Sequence, residues 1–437
     1  MKRISCIMTA VVCFSLVLIS WLVTANSKSA AQRQLDLINR AATLVQSGIF
    51  IGAMPLLEEA AGIDAAHTIA AEEALKKVYL ELIGNRQFAR RYVNLLEKQM
   101  YRKDADPGVF AEAALYYLSN SKIQEALVIL RTGIERTMNP ELVRIYEDNR
   151  YAFEMSRTSY EHVAAISGTT VQVQSNGLWG IATADGILAI PCEYEKISTF
   201  SSGRAIVIKD GEIYAVDRNN NRVAKLFDDA EDFGNFADDR IPIRIDGTWR
   251  RAMGDLVPGT MEFQQFGMYS NGYAAAKTNG KWGVINVSSQ WLIPPEYDRI
   301  IQDELGRCYA RGAVFVGGGD GIRLIVDNKL IGSVYEDARP FTNEGYAAVK
   351  SGGKWGFIDL TGTIVIDFQF EDALSFGQHL AAVKLNGLWG YISMSGNIVI
   401  EPEFIEAKSF SSGSAPVLTG RGWQFITLLE YKKGVTL

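Results

Sequence analysis

Three kinds of hydrophobic patterning follow one another along the chain. Ile4 to Val23 is an uncharged apolar run behind Lys2 and Arg3. From residue 29 to 155, apolar residues recur at three- and four-residue steps, as in Leu35-Ile38-Ala42 and Ala126-Ile129-Leu130, which is the spacing of a helix face. From residue 165 to 428 the period changes to two. Trp355-Gly356-Phe357-Ile358-Asp359 alternates bulky with small or polar residues, Thr363-Ile364-Val365-Ile366 is β-branched, and Leu380-Ala381-Ala382-Val383-Lys384 is a third extended run. These patterns predict a leader over 1–28, a helical domain over 29–155, a β domain over 165–428 and a tail over 429–437. The fold class is a multidomain α+β chain, with a stack of helical hairpins followed by an all-β repeat array.

The β pattern is periodic. Two-residue turn signals stand at Asn176-Gly177, Asp210-Gly211, Asp246-Gly247, Asn279-Gly280, Asp320-Gly321, Gly352-Gly353 and Asn386-Gly387, each two residues before one position. Asn-Gly and Asp-Gly supply the positive φ angles of a tight hairpin. The position that follows reads Trp179, Ile213, Trp249, Trp282, Arg323, Trp355, Trp389 and Trp423, at intervals of 32–36 residues except for 41 between Trp282 and Arg323. Ile213 and Arg323 break the tryptophan rule while their turns survive. The reading is eight units of a three-stranded meander, with Phe370 to Phe376 a connection. The array begins with the strand Val171 to Gln174 and ends mid-unit at Trp423 to Leu428, so its two ends could pair as propellers close. Units of this length are short for a four-stranded blade of about 40–45 residues. A closed propeller-like ring and an open β-superhelix both fit.

Trp179-Gly180, Trp282-Gly283, Trp355-Gly356 and Trp389-Gly390 are followed by Ile190-Pro191-Cys192-Glu193-Tyr194, Ile293-Pro294-Pro295-Glu296-Tyr297 and Ile400-Glu401-Pro402-Glu403-Phe404. On these residues the region resembles the bacterial WG repeats, also called KWG repeats; Trp249-Arg250 and Trp423-Gln424 are degenerate copies. The resemblance implies a β-rich array and no catalytic residues. In the helical region, breaks at Gly48, Gly84-Asn85 and Asn120-Ser121 fall 36 residues apart, each followed by a second helix (Ala53–Ala61, Phe88–Gln99, Ile123–Thr137). Paired helices at this period resemble degenerate tetratricopeptide repeats.

Candidate chemistry changes this picture little. The column Trp179, Trp249, Trp282, Trp355, Trp389 and Trp423, with Gly180, Gly283, Gly356 and Gly390, reads as the structural core of the repeat, its rings filling seams between units. Asp217 to Asp228 spaces oxygens like a calcium loop, but Arg222 stands where glycine is needed and a turn is expected there anyway. Gly317-Gly318-Gly319-Asp320-Gly321 lacks the Lys-Ser/Thr of a phosphate cradle; in the longest interval, it reads as a projecting loop insertion. His67, His162 and His379 have no ligand spacing. Glu193, Glu296, Glu371 and Glu403 read as one repeated position holding loop backbone, against a glycosidase-like carboxylate pair. Cys192 and Cys308 read as two small thiols rather than a disulfide framework. The expectation is no catalytic residue, no metal and no cofactor.

A net charge of -6 without basic blocks excludes an electrostatic footprint for nucleic acid. Ile4 to Val23 is long enough to span a bilayer as a helix, and Val23-Thr24-Ala25 offers a cleavage site, so the leader is a signal peptide or a membrane anchor. Either implies export to the cell envelope, membrane-anchored through 4–23 if uncleaved. The function expected is non-catalytic binding of a protein partner. Two other readings are a cell-wall carbohydrate module using surface aromatics such as Tyr269, Tyr273 and Tyr346, and a hydrolase with dispersed active-site residues.

Overall fold

A computed structural model describes residues 29–225, 229–253 and 257–431. The leader, with its expected span 4–23, and residues 432–437 of the tail lie outside these. Contacts divide the described residues into two units, which part between Asp148 and Asn149.

The first unit holds seven helices among the described residues: α1 (29–46), α2 (Phe50–Gly62), α3 (Thr68–Glu81), α4 (Arg86–Met100), α5 (Pro107–Ser119), α6 (Ile123–Thr137) and α7 (Pro140–Asn149), the last reaching one residue past the division. The breaks read from sequence separate α1 from α2, α3 from α4 and α5 from α6. Gly48 takes φ 73° and Ser121 φ 58° at two of them, left-handed values that end a helix. Asn85 caps α4 by accepting the Gln87 N–H at 2.9 Å. Leu57, Leu75, Tyr92, Leu96, Phe110 and Leu130 share one buried core. Inside it Glu72 is fully buried, and Gln99, Lys98 and Arg102 partner its carboxylate; without them a buried charge would cost several kcal/mol.

The second unit is eight small antiparallel sheets. The blades are 162–194, 196–225, 230–253, 265–297, 299–335, 337–370, 372–404, and an eighth from 406–428 with 153–155. Blade 7 shows the pattern: Asp372–Ala373, Leu380–Leu385, Leu388–Ser393 and Ile398–Phe404. The meander expected to have three strands therefore has four. The missed strand lies inside the stretch read as a connection, where Asp372 and Ala373 pair with Lys384 and Val383. Two residues without strand propensity leave no periodic signal. Blade 3 is a three-stranded sheet whose outer edge is met by Phe263 and Pro258 through isolated bridges.

The ring is closed. Phe153, Glu154 and Met155 pair with Leu428, Thr427 and Ile426 as the outer strand of blade 8. The closing strand is thus not Val171–Gln174, an inner member of blade 1, but a segment counted with the helices. A belt of hydrogen bonds between successive connections runs round one face. Ser202 donates to Asp239, Gly272 N–H to Asp238, Asn271 to the Tyr309 carbonyl, Arg311 to the Asn343 carbonyl, and Gly413 N–H to Gln378. The belt ends where Ser412 donates to the Gly168 carbonyl at 2.7 Å, joining blade 8 to blade 1.

The Trp-Gly pair has a local cause. In blade 7, Trp389 pairs with Phe404 but Tyr391 pairs with Ile400, so the outer strand carries two extra residues between those pairs. The bulge pushes its backbone onto Gly390, where a Cβ would lie 2.5 Å from the Ile400 carbonyl oxygen and 2.7 Å from Pro402 N. Gly180, Gly283 and Gly356 meet Ile190, Ile293 and Ile366 in the same way.

Candidate functional site

The first strand of each blade is followed by a connection lining the centre of the ring. Six residues make it in blades 1, 2, 3, 4, 7 and 8, and seven in blade 6, but twelve (301–312) lie between Ile300 and Ala313 in blade 5. The extra residues turn inward. Asp303 organises them: its carboxylate accepts the N–H groups of Leu305 (3.0 Å) and Arg307 (2.9 Å) and pairs with the Arg307 guanidinium at 2.5 Å. Gly306, at φ 92°, closes the turn.

This loop plugs the channel by touching blades that are not its neighbours. The Leu305 carbonyl accepts from Asn235 of blade 3 at 3.2 Å, and Asn235 in turn accepts from Gln172 of blade 1 at 3.1 Å. Glu304 pairs with Lys408 of blade 8. The plug also meets its neighbour, blade 4: Gly306 accepts the Met268 N–H at 3.1 Å, an approach that needs Gly267, because a Cβ there would lie 2.8 Å from the Gly306 carbonyl oxygen. Leu305 itself is buried.

Plug residues line two cavities, one of about 520 Å³ beside Gln172, Trp179 and Asn235, and one of about 940 Å³ against blades 4–8 and 1. The larger is of the size that holds ligands. Its walls mix charge with neutral hydrogen-bonding groups: Arg339, Asp372, Lys384, Glu406, Thr342 and Asn343 line it. Most of this charge is already engaged. Arg339 reaches Asp372 at 3.2 Å, and Asp372 accepts the Ala373 N–H at 2.8 Å. Asp337 and Asp232 hold the equivalent N–H groups of Ala338 and Phe233. An aspartate at this position satisfies a backbone donor on an edge that lacks a neighbouring strand.

The tryptophans stand on the third strands. Trp355 shares a cluster with Ala381, Val383 and Ile392 of blade 7, Trp389 with Ala415 and Val417 of blade 8, and Trp423 with Val163, Val171 and Val173 of blade 1. Trp179, Trp249 and Trp282 are half-buried beside their clusters. Arg339 covers the Trp355 ring at 4.4 Å and Lys408 the Trp423 ring at 5.1 Å. Cys192 and Cys308 are both free, and burial pushes the Cys308 thiol up to about 12.

Several expectations change. Gly317 to Gly321 is no projecting insertion but the ends of two paired strands and their turn; the insertion is the plug. The interval of 41 residues was its signal. The four glutamates belong to two columns. Glu193, Glu296 and Glu403 precede the outer-strand aromatic, whereas Glu371 follows Phe370 and accepts the Gly387 N–H at 3.0 Å. Glu161, Glu231 and Glu336 hold Gly177, Gly247 and Gly353 in the same way. Asp217 accepts the N–H groups of Asn219 and Asn221, as Asp359 accepts those of Thr361 and Thr363, so its oxygens serve a turn. Tyr269, read as a surface aromatic, is fully buried. Among the described residues no group of three His, Cys, Asp or Glu side chains is placed to hold a metal ion, and no helix is long and apolar enough to cross a membrane.

Eight antiparallel blades, closed by a strand from the other end of the unit, define a repeat-built β-propeller. The model of the WG containing repeat matches residues 173–212, 260–282, 282–302, 328–355, 355–389 and 389–423. The chain is a WG-repeat protein with an N-terminal helical unit. The unmatched stretches 213–259 and 303–327 carry Ile213, Trp249-Arg250, most of the plug and Arg323. No curated protein matches the chain. Among solved structures it is similar to the AfRom2 CNH domain (9% identity, TM-score 0.32, 63% of this chain and 96% of the other). It is also similar to the Neurospora crassa Pan2 WD40 domain (10%, 0.30, 53% and 88%) and to the Myceliophteria thermophila Cps50 (Swd1) β-propeller domain (9%, 0.32, 61% and 99%).

Proposed function

We propose that this protein is a non-catalytic scaffold, exported to the cell envelope, that holds a protein partner in the cleft beside the plug. The observation that carries the reading is the cleft of about 940 Å³ against the plug, walled by side chains that mostly neutralise one another. Such walls offer shape and hydrogen bonds without a reactive or strongly charged group. The helical unit, as a tetratricopeptide-like array, adds a second surface of the kind that binds protein chains. Export follows from Lys2, Arg3 and the apolar run 4–23, which anchors the chain if it is not cleaved.

Affinity capture with the full-length chain, tagged at its C-terminus and solubilised in mild detergent, tests this. Mass spectrometry would identify the partner and the mature N-terminus. The expected result is one saturable protein partner, weakened by Lys384→Glu and Glu406→Lys in the cleft wall. A partner indifferent to both changes would move its seat elsewhere. Binding to isolated cell wall alone would favour the carbohydrate reading, and turnover of a hydrolase substrate would overturn the non-catalytic one. The carbohydrate reading wants exposed rings; Tyr273 is packed on Tyr309 and Tyr346 on Phe376.

A further inference from the structure

Four Asn-Gly pairs occur in the β unit: 176–177, 271–272, 279–280 and 386–387. Each asparagine has φ between 50° and 54° and an exposed side chain. Asn-Gly is the pair most open to self-modification, because glycine puts no side chain between the backbone nitrogen and the asparagine amide. The following N–H loses its proton to solvent base, the nitrogen bonds to the asparagine Cγ, and ammonia leaves. Water then opens the succinimide to aspartate or isoaspartate. No oxidant or cofactor is needed. The step depends on how readily that N–H is surrendered.

In all four pairs the glycine N–H is donated to a side-chain oxygen, but the acceptors differ. Glu161 takes both Asn176 and Gly177 at 3.0 Å, Asp238 takes Gly272 at 2.8 Å, and Glu371 takes Gly387 at 3.0 Å. At Gly280 the acceptor is the neutral amide of Gln264, at 2.7 Å. A carboxylate holds the protonated N–H by a charge-assisted bond and opposes negative charge on the nitrogen; an amide oxygen does so less.

We propose that Asn279 is a site of spontaneous deamidation, and that Glu161, Asp238 and Glu371 suppress the same reaction at the other three pairs. Glu161 and Glu371, in the column of acids that holds the hairpins, are thus also chemical guards, as Asp238 is outside that column, and blade 4 carries the neutral Gln264 at the column's position. Conversion at Asn279 places a new carboxylate on that rim, beside Lys281.

Peptide mapping of the full-length chain, incubated at mildly alkaline pH and sampled over time, reads the rate at each asparagine. The expected order puts Asn279 about tenfold ahead of Asn176 and Asn386, the factor given by about 1.4 kcal/mol of extra N–H stabilisation. Gln264→Glu should slow Asn279 to their rate, and Glu371→Gln should raise Asn386 to that of Asn279. The order in the unsubstituted chain needs no variant to fold. Equal rates at the three hairpins, or slower conversion of Asn386 in Glu371→Gln because the carboxylate acts as the base, would overturn the proposal.

Discussion

Gly390→Ala measures how tightly the outer-strand bulge is built. The added Cβ would meet three backbone atoms, at 2.5 Å, 2.7 Å and 2.9 Å, from Ile400, Pro402 and Glu401. Backbone inside a paired sheet cannot swing aside as a side-chain tip can. Overpacking costs about 1–3 kcal/mol, and three backbone contacts under 3 Å put this site at the upper end, about 3 kcal/mol. The lower entropy of alanine in the unfolded chain returns about 0.4–1 kcal/mol, which leaves a net loss of about 2 kcal/mol. With a urea slope of about 3 kcal/mol/M, the midpoint falls by about 0.7 M. Tryptophan emission is a selective probe, because every tryptophan but Trp21 lies in the β unit. Gly420→Ala is the control: nothing lies within 4 Å of its Cβ position, and its stability should stay within about 0.5 kcal/mol of the parent. Equal midpoints for the two variants would refute the account of the Trp-Gly pair.

Leu305→Ala should cost about 2–5 kcal/mol by urea unfolding, because Leu305 is buried at the centre of the plug; a neutral result would mean that the plug is not packed. Alkylation mapped by mass spectrometry at mildly alkaline pH should leave Cys308 unlabelled until urea unfolds the β unit, since burial holds its thiol at about 12, while half-buried Cys192 reacts first. The N–H groups of Gly177 and Asn176 hold the Glu161 carboxyl below its usual range. A lowered folded value means that the stabilisation is fully present above the ordinary carboxylate pKa of about 4.3 and is lost as pH falls through the folded value. The urea midpoint of the parent should therefore exceed that of Glu161→Gln at neutral pH, with the gap closing at acid pH.

Much of this architecture is legible in the residues, and what is not has physical causes. The hairpins show because Asn386-Gly387 and its counterparts need positive φ, which few residue pairs supply. The helix breaks show for the same reason at Gly48. Asp372-Ala373 is invisible as a strand because its partner, not its own propensity, makes it one. Phe153-Glu154-Met155 is too short to show a period and follows closely on a helix in the sequence, so its pairing across the ring could not be read locally. The plug announced itself as excess length, yet the neighbouring glycine run drew the assignment. In fact Asp303, Gly306 and Arg307 carry the turn. The cleft was not legible at all, since its wall gathers residues from six blades that share no local pattern.

Closure by Phe153–Met155 has a consequence for how the chain reaches its final form. Gln424 Nε2 donates to the Ser156 carbonyl across 268 positions of sequence, and contacts of such separation form late and slowly. During synthesis, blade 8 stays without its outer edge until Leu428 has emerged, so a segment made near the start of the ring must wait, extended and unpaired, for the last one. A ribosome stalled anywhere short of that point leaves an unlatched circle with two raw edges, the state most open to proteases and to stray strand pairing.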